Sequence, residues 1–310
     1  EGIKLLQQQL HFDLSLRSKT ECNILHYAAM GNSVPVMRFA LAQNIGGDSV
    51  NADGLNALIL ACAYGAKEAL LFALNELKLP TTSYGLNGEN ALHLAVLKEN
   101  KRGIHLAIKH LNISPQSRKV KVENNHKNPR SNILHIAAGT GNIDLFKFVH
   151  QEFKISFTSL DYYSANVLHY SMYGNNVRLM RMLVTELGIK SASQDTYGRN
   201  ALHHAALVGH PNTIQFCLSE LQLGLYDETN NQFTPIYHAL LNKATDNVIT
   251  LRKMGYDVRH QDSMGRTAVD YLDLVPNLTA TQRAELLQAL TQALEASEDK
   301  DSQNHFKPGK

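Results

Sequence analysis

Apolar residues in this chain fall in short runs of helical length, and the runs return at a nearly constant interval. The best-preserved copy lies in residues 195–210, where Leu202 and the pair Ala205 and Ala206 make an apolar face between Asn200 and Gly209. Asn200 suits a helix N-cap, because its amide oxygen accepts from backbone N–H groups that the first turn leaves free. His203, three residues on, stands where a capping-box side chain reaches back. The small alanines let a neighbouring helix approach closely, and Gly209 ends the helix where a left-handed residue is needed.

Copies aligned on this cap begin at Asn23, Asn56, Asn90, Asn132, Asn166, Asn200, Thr234 and Thr267, with spacings of 33, 34, 42, 34, 34, 34 and 33 residues. A period near 33 with short helices marks a solenoid, since such a unit cannot bury its own apolar face and must stack on its neighbours. Second helices are expected at Val36, Met37, Phe39 and Ala40, at Leu70, Phe72 and Ala73, and at Ile104, Leu106 and Ala107. A recurrent tail closes most units, with Leu77 and Leu79, Phe153 and Ile155, Leu187 and Ile189, and Leu221 and Leu223 expected to seal the join to the next.

These residues resemble the ankyrin-repeat family, whose unit reads D-x-x-G-x-T-P-L-H-x-A-A-x-x-G. The closest matches are Asp262, Gly265 and Thr267 in one half of the unit and Thr234 to Tyr237 in the other, and the resemblance covers about residues 18 to 296. One departure is systematic: six of eight copies carry Asn at the cap, and only Pro235 keeps the family's Pro. Asn caps as well as Thr, so the expected fold is unchanged. In repeats one and five the glycine stands one place early, at Gly31 and Gly174, leaving Asn32 and Asn175 in the turn. Repeats three and seven, with Glu99 and Lys243, have no glycine there. The resemblance implies an all-α helix-turn-helix solenoid of about eight stacked repeats with short turn tips.

At the start, Ile3, Leu6 and Leu10 fall on one helical stripe, so residues 1–17 are expected to form a partial capping helix of a chain that begins inside a larger protein. The array spans 18–296, with its last unit, 267–296, as a C-terminal cap. There Thr279 caps a helix whose apolar stripe is Leu286, Leu287, Leu290 and Leu294, with Gln282, Arg283, Gln288 and Gln292 outward. Residues 297–310 have no pattern and are expected to be disordered. The 42-residue interval holds an insertion, 112–131, whose alternation over residues 118–122 suits a small hairpin.

Charge changes the picture only at that insertion. The chain carries +2 overall, but residues 98–130 carry a net of +7. Arg118, Lys119, Lys121, Lys127 and Arg130 therefore form a secondary patch that would steer an acidic partner, a phosphorylated segment or an anionic membrane, unless it is simply a solvated loop. Nucleic acid is not expected, because no basic face continues along the array and no aromatic residue is interleaved. Three cysteines, Cys22, Cys62 and Cys217, lie far apart without C-x-x-C spacing, so neither a disulfide framework nor a metal site is expected, and core packing is. No signal peptide or membrane-spanning run is visible. The expected location is intracellular and cytoplasmic, or the host cytosol for an effector.

Catalytic chemistry is sparse. His26, His93, His135, His169 and His203 share the capping position, so their recurrence reads as architecture. His204 and His238 lie one residue later, outside that explanation and without a partner at ligand spacing. Cys22 beside His26 lacks a third group. No catalytic residue and no cofactor is expected.

What remains is a binding surface. In arrays like those it resembles, a partner meets the turn tips and the groove positions seven and eight residues after the cap. Carried over, repeats five to seven give Tyr162, Tyr163, Tyr173, Tyr197, Arg199, Leu207, Val208 and Phe233, a composition typical of interface hot spots. The competing reading is that these rings pack on neighbouring tips and stiffen the array. The expected function is a monomeric scaffold that binds a protein partner through tips and groove. The alternative is the substrate-recognition arm of a larger enzyme, or a host-directed bacterial effector, whose catalytic domain lies outside this chain.

Overall fold

The computed structural model describes residues 16–119, 130–208 and 210–292. Antiparallel helix pairs follow one another along the chain: α1 (Ile24–Met30) with α2 (Val34–Ala42), α3 (Ala57–Ala63) with α4 (Lys67–Asn75), α5 (Ala91–Leu97) with α6 (Lys101–Leu111), and α7 (Ile133–Thr140) with α8 (Ile143–Phe153). The series continues with α9 (Val167–Ser171) and α10 (Val177–Thr185), α11 (Ala201–Val208) and α12 (Pro211–Ser219), α13 (Pro235–Leu241) and α14 (Thr245–Lys253), and α15 (Tyr271–Leu274) and α16 (Ala280–Thr291). No strand occurs among the described residues; one isolated antiparallel bridge joins Arg118 to Asn132 at the base of the insertion. In the first seven units each first helix packs on its own second helix and on neighbouring first helices, while in the last unit α15 packs on α13 and α16 on α14, making one all-α array.

The residue two places after the cap anchors the core in the first seven repeats, whereas Val269 of the eighth is 37% exposed. Leu25, Leu58, Leu92, Leu134, Leu168, Leu202 and Ile236 are all almost wholly buried. The caps hold the helices that carry them. Asn23, Asn90, Asn132 and Asn166 each accept the N–H of the histidine three residues on, and that histidine's Nδ1 accepts the N–H of the asparagine. Asn200 and His203 repeat the pair.

The ring's other nitrogen crosses to the next unit: Nε2–H of His26, His135, His169 and His203 donates to the carbonyls of Ser49, Ser159, Arg199 and Asp227 at 3.1 to 3.2 Å. One imidazole thus closes a cap and ties two repeats. His93, next to the insertion, has no Nε2 hydrogen-bond partner among the described residues.

Six of the repeats bend through a left-handed residue at one fixed place. Nine residues after the cap stand Asn32, Gly65, Glu99, Gly141, Asn175 and Lys243, all with positive φ. The turns of repeats three and seven therefore keep the same geometry on side chains that disfavour it.

Several expectations are corrected. Thr234 makes no side-chain cap; its hydroxyl pairs with Tyr256 and Tyr271 instead. Thr267 bonds Asp270, and the helix after it is reduced to Tyr271–Leu274. On α16, Leu286 and Leu290 are buried but Leu287 is 39% exposed, and Ala289 takes its place inward, because consecutive helical residues diverge by about 100°. The expectations for residues 1–15, Lys121, Lys127, Gly209, Leu294 and the tail fall outside the described residues.

Candidate interaction groove

The tips are built by residues five before the cap. Asp161, Asp195 and Asp262 each turn Oδ1 onto two backbone N–H groups, those of Tyr163 and Ala165, of Tyr197 and Arg199, and of Met264 and Arg266, at 2.8 to 3.0 Å. Asn51 does the same with its amide oxygen. Neighbouring tips then join through the main chain: Thr196 N–H donates to Tyr163 O and Asn230 N–H to Tyr197 O. The residues three before the cap are thereby set side by side. The rings of Tyr163 and Tyr197 lie 5.4 Å apart, with Tyr162 edge-on to Tyr163 at 5.2 Å.

Behind this row the first helices send a second side chain back to the tip. The residue four after the cap reaches the aspartate of its own repeat: Tyr170 O–H donates to Asp161 Oδ2 at 2.8 Å, Tyr271 O–H to Asp262 Oδ2 at 2.8 Å, and His204 Nε2–H to Asp195 Oδ2 at 3.3 Å. That bond fixes the tautomer of His204 and leaves its buried Nδ1 without a partner. Burial pushes Asp195 upward, but the bonds from His204 and Arg199 outweigh it and hold the carboxyl low. Asp161, without an arginine, is raised by burial. Burial also raises Tyr170 and Tyr173 and lowers His204.

Of these groups, Asp161, Tyr163, Tyr170, Tyr173, Tyr197, Arg199 and His204 line a groove of about 590 Å³. Of the residues singled out from the sequence, Tyr163, Tyr173, Tyr197, Arg199 and Leu207 line it. Tyr173 and Tyr197 are about half exposed. Tyr162, 63% exposed, stands on the rim. Val208 is half-buried against the core. Phe233 faces a smaller neighbouring depression of about 200 Å³, stacked on Tyr237 with centroids 3.8 Å apart. Asp161, Tyr170 and His204 also line the groove and were not among the predicted binding residues. A signal for them exists, an acid five before the cap recurring with Tyr or His four after it.

The same register over repeats one to three forms a second groove of about 470 Å³, lined by Tyr27, Leu60, Tyr64, Leu94 and Leu97 among others. It has fewer rings.

Two members of the basic patch have internal partners. Arg118 donates to the carbonyls of Arg130 and Leu160, and Lys119 pairs with Glu89 at 2.9 Å, both side chains largely buried. Arg130 lies 6.0 Å from the ring of Tyr162.

The remaining reactive side chains are enclosed. All three cysteines are buried and free, and burial pushes the Cys62 thiol up to about 12. Both nitrogens of His26, the neighbour of Cys22, are occupied by the cap and by Ser49. Among the described residues no group of three or more His, Cys, Asp or Glu is placed to hold a metal, and no helix is long and apolar enough to cross a membrane.

A family model described as ankyrin repeats (3 copies) matches residues 1–83 and 189–262, together just over half of the chain. No curated protein matches it.

Proposed function

This chain belongs to the ankyrin-repeat family, whose arrays are protein–protein interaction modules, and on that premise we propose that it binds a protein partner through the groove and tips of repeats five to seven. The observation carrying this reading is the convergence of Tyr163, Tyr173, Tyr197 and Arg199, from three different segments, on one groove beside a continuous row of tips. Rigid rings add contact area at little entropic cost, and truncating a hot-spot residue costs about 2 kcal/mol or more in binding. The fold is a scaffold, and among the described residues the histidines three places after the cap, His26, His135, His169 and His203, are spent on caps and on ties between repeats.

Affinity capture of the cellular partner, paired with thermal melts of Tyr163→Ala and Tyr197→Ala, tests the reading. Both variants are expected to lose most of the captured partner with little change in melting. Variants that keep the partner but melt many degrees lower would show the rings to be structural. The basic insertion would then be the surface to examine.

A further inference from the structure

The three tip aspartates use Oδ1 alike and differ in what reaches Oδ2. Asp195 receives Arg199 Nε at 2.7 Å, and Asp262 receives Arg266 Nε at 2.7 Å. Each arginine stands immediately before its cap, and each guanidinium lies over aromatic rings: Arg199 is 5.0 Å from the Tyr197 centroid, and Arg266 is 4.4 Å from Phe233 and 5.6 Å from Tyr271.

In repeat five the position before the cap is Ala165. The rest of the arrangement is intact. Tyr170 reaches Asp161 Oδ2 just as Tyr271 reaches Asp262 Oδ2, both at 2.8 Å. Tyr163 occupies the place that Tyr197 holds in repeat six. No arginine or lysine among the described residues is ion-paired with Asp161, in contrast to Asp195 and Asp262. Asp161 is 8% exposed and opens, with Ala165, onto the 590 Å³ groove.

The electrostatics agree with this difference. Burial raises all three carboxyls; in Asp195 and Asp262 the hydrogen bonds outweigh it and leave them low, whereas Asp161 stays raised. A carboxylate enclosed without a cation gains from an incoming positive charge, because the cost of burying it has already been met by the fold.

We propose that the groove takes a guanidinium from outside: an arginine side chain of the partner protein, seated on Asp161 Oδ2 and against Tyr163 and Tyr170, in the place that Arg199 and Arg266 fill in their own repeats. The inference rests on the reading of this groove as the partner surface. Arginine is preferred over lysine because the chain itself uses it twice here, and a planar guanidinium both forks onto a carboxylate and stacks on a ring.

The full chain titrated with N-acetyl-arginine amide, and separately with its uncharged citrulline analogue, tests the seat by heteronuclear NMR. Two variants are included. Asp161→Asn keeps the tip folded, since Asn51 builds the same tip with an amide. Ala165→Arg supplies the guanidinium from within. The arginine amide is expected to shift the resonances of Tyr163 and Tyr170, with citrulline binding at least about tenfold more weakly. Both variants should weaken arginine binding by at least about tenfold, and Ala165→Arg should melt higher than the parent.

Equal binding of arginine and citrulline, or undiminished binding to Ala165→Arg, would overturn the proposal. Partner capture that depends on Tyr197 without any arginine binding would refute the guanidinium seat while keeping the groove. Arginine binding combined with capture indifferent to both tyrosines would keep the seat and refute its role in partner capture.

Discussion

Single side chains in this array are chosen by the backbone they must sit on as often as by what they touch. Lys243 shows this. Its φ is 58°, at the turn place that Gly65 and Gly141 occupy in other repeats. A left-handed conformation costs a residue with a Cβ about 1–2 kcal/mol, partly offset by the extra freedom glycine has when unfolded. Lys243 Nζ donates to Asn277 O at 3.2 Å, a half-exposed contact worth little. Lys243→Gly is therefore expected to stabilise the chain by about 0.5–1 kcal/mol, read as a higher urea midpoint with unchanged slope. Gly65→Ala, at φ 71° with its new Cβ 2.9 Å from Asn100 Oδ1, should move the midpoint the other way. Equal midpoints for Lys243→Gly and the parent would mean that the lysine's contacts cancel its backbone strain.

At the scale of helices and turns, close approach sets the spacing of the stack. Gly103 lies on α6 with helical backbone, so propensity alone favours alanine there by about 1 kcal/mol. Space decides otherwise: a Cβ at Gly103 would stand 2.4 Å from Cys62 O on α3. Backbone cannot yield cheaply, and Gly103→Ala is expected to destabilise by about 1–3 kcal/mol in urea melts despite its better propensity. A stabilised variant would show that α3 and α6 slide freely.

Such contacts mark where the sequence stops being legible. Caps, the leucine two residues on and the row of tips repeat at one spacing, so periodicity alone reveals them. Asp195 and His204 do not announce each other. They sit nine residues apart, one in a turn and one on a helix, and only the folded tip brings Oδ2 within 3.3 Å of Nε2. The insertion misleads in the opposite sense. Lys119 adds to the count of positive charge, yet its ammonium is held by Glu89, thirty residues earlier. Glu99 and Lys243 also hide their turns, because the stacked neighbours impose a conformation that local propensity opposes.

Over the whole molecule, imidazoles buried by the stack couple stability to pH. Burial lowers His93, His135 and His203 to about 4 and His169 to about 3, against an ordinary value of 6.5. The sign follows from linkage: the unfolded chain takes up protons below about pH 6.5 while the folded imidazoles stay neutral. The stability they contribute is complete above that pH and is lost as pH falls toward the folded values. Between pH 7 and 5 each such group should cost about 2 kcal/mol, at about 1.4 kcal/mol per unit shift. Asp195 and Asp262, held low, lose their contribution only in more acid solution, and Asp161, raised by burial, acts in the opposite sense as pH falls, so a net loss in this window reports the histidines.

The loss is not spread evenly. His169 and His204 have centroids 4.9 Å apart, and His203 and His238 5.2 Å apart, so four buried imidazoles are gathered in repeats five to seven. A first proton there raises the cost of the next. Because each repeat is coupled chiefly to its neighbours, acid is expected to open α9 to α13 before α3 to α6. Amide exchange at pH 5.5 and 7.5, corrected for intrinsic rates, should show protection falling first across residues 167–241, alongside a drop in melting temperature. Uniform loss along the array would mean that the stack unfolds as one unit, and a flat melting temperature across the window would mean that the buried imidazoles do not set its acid stability.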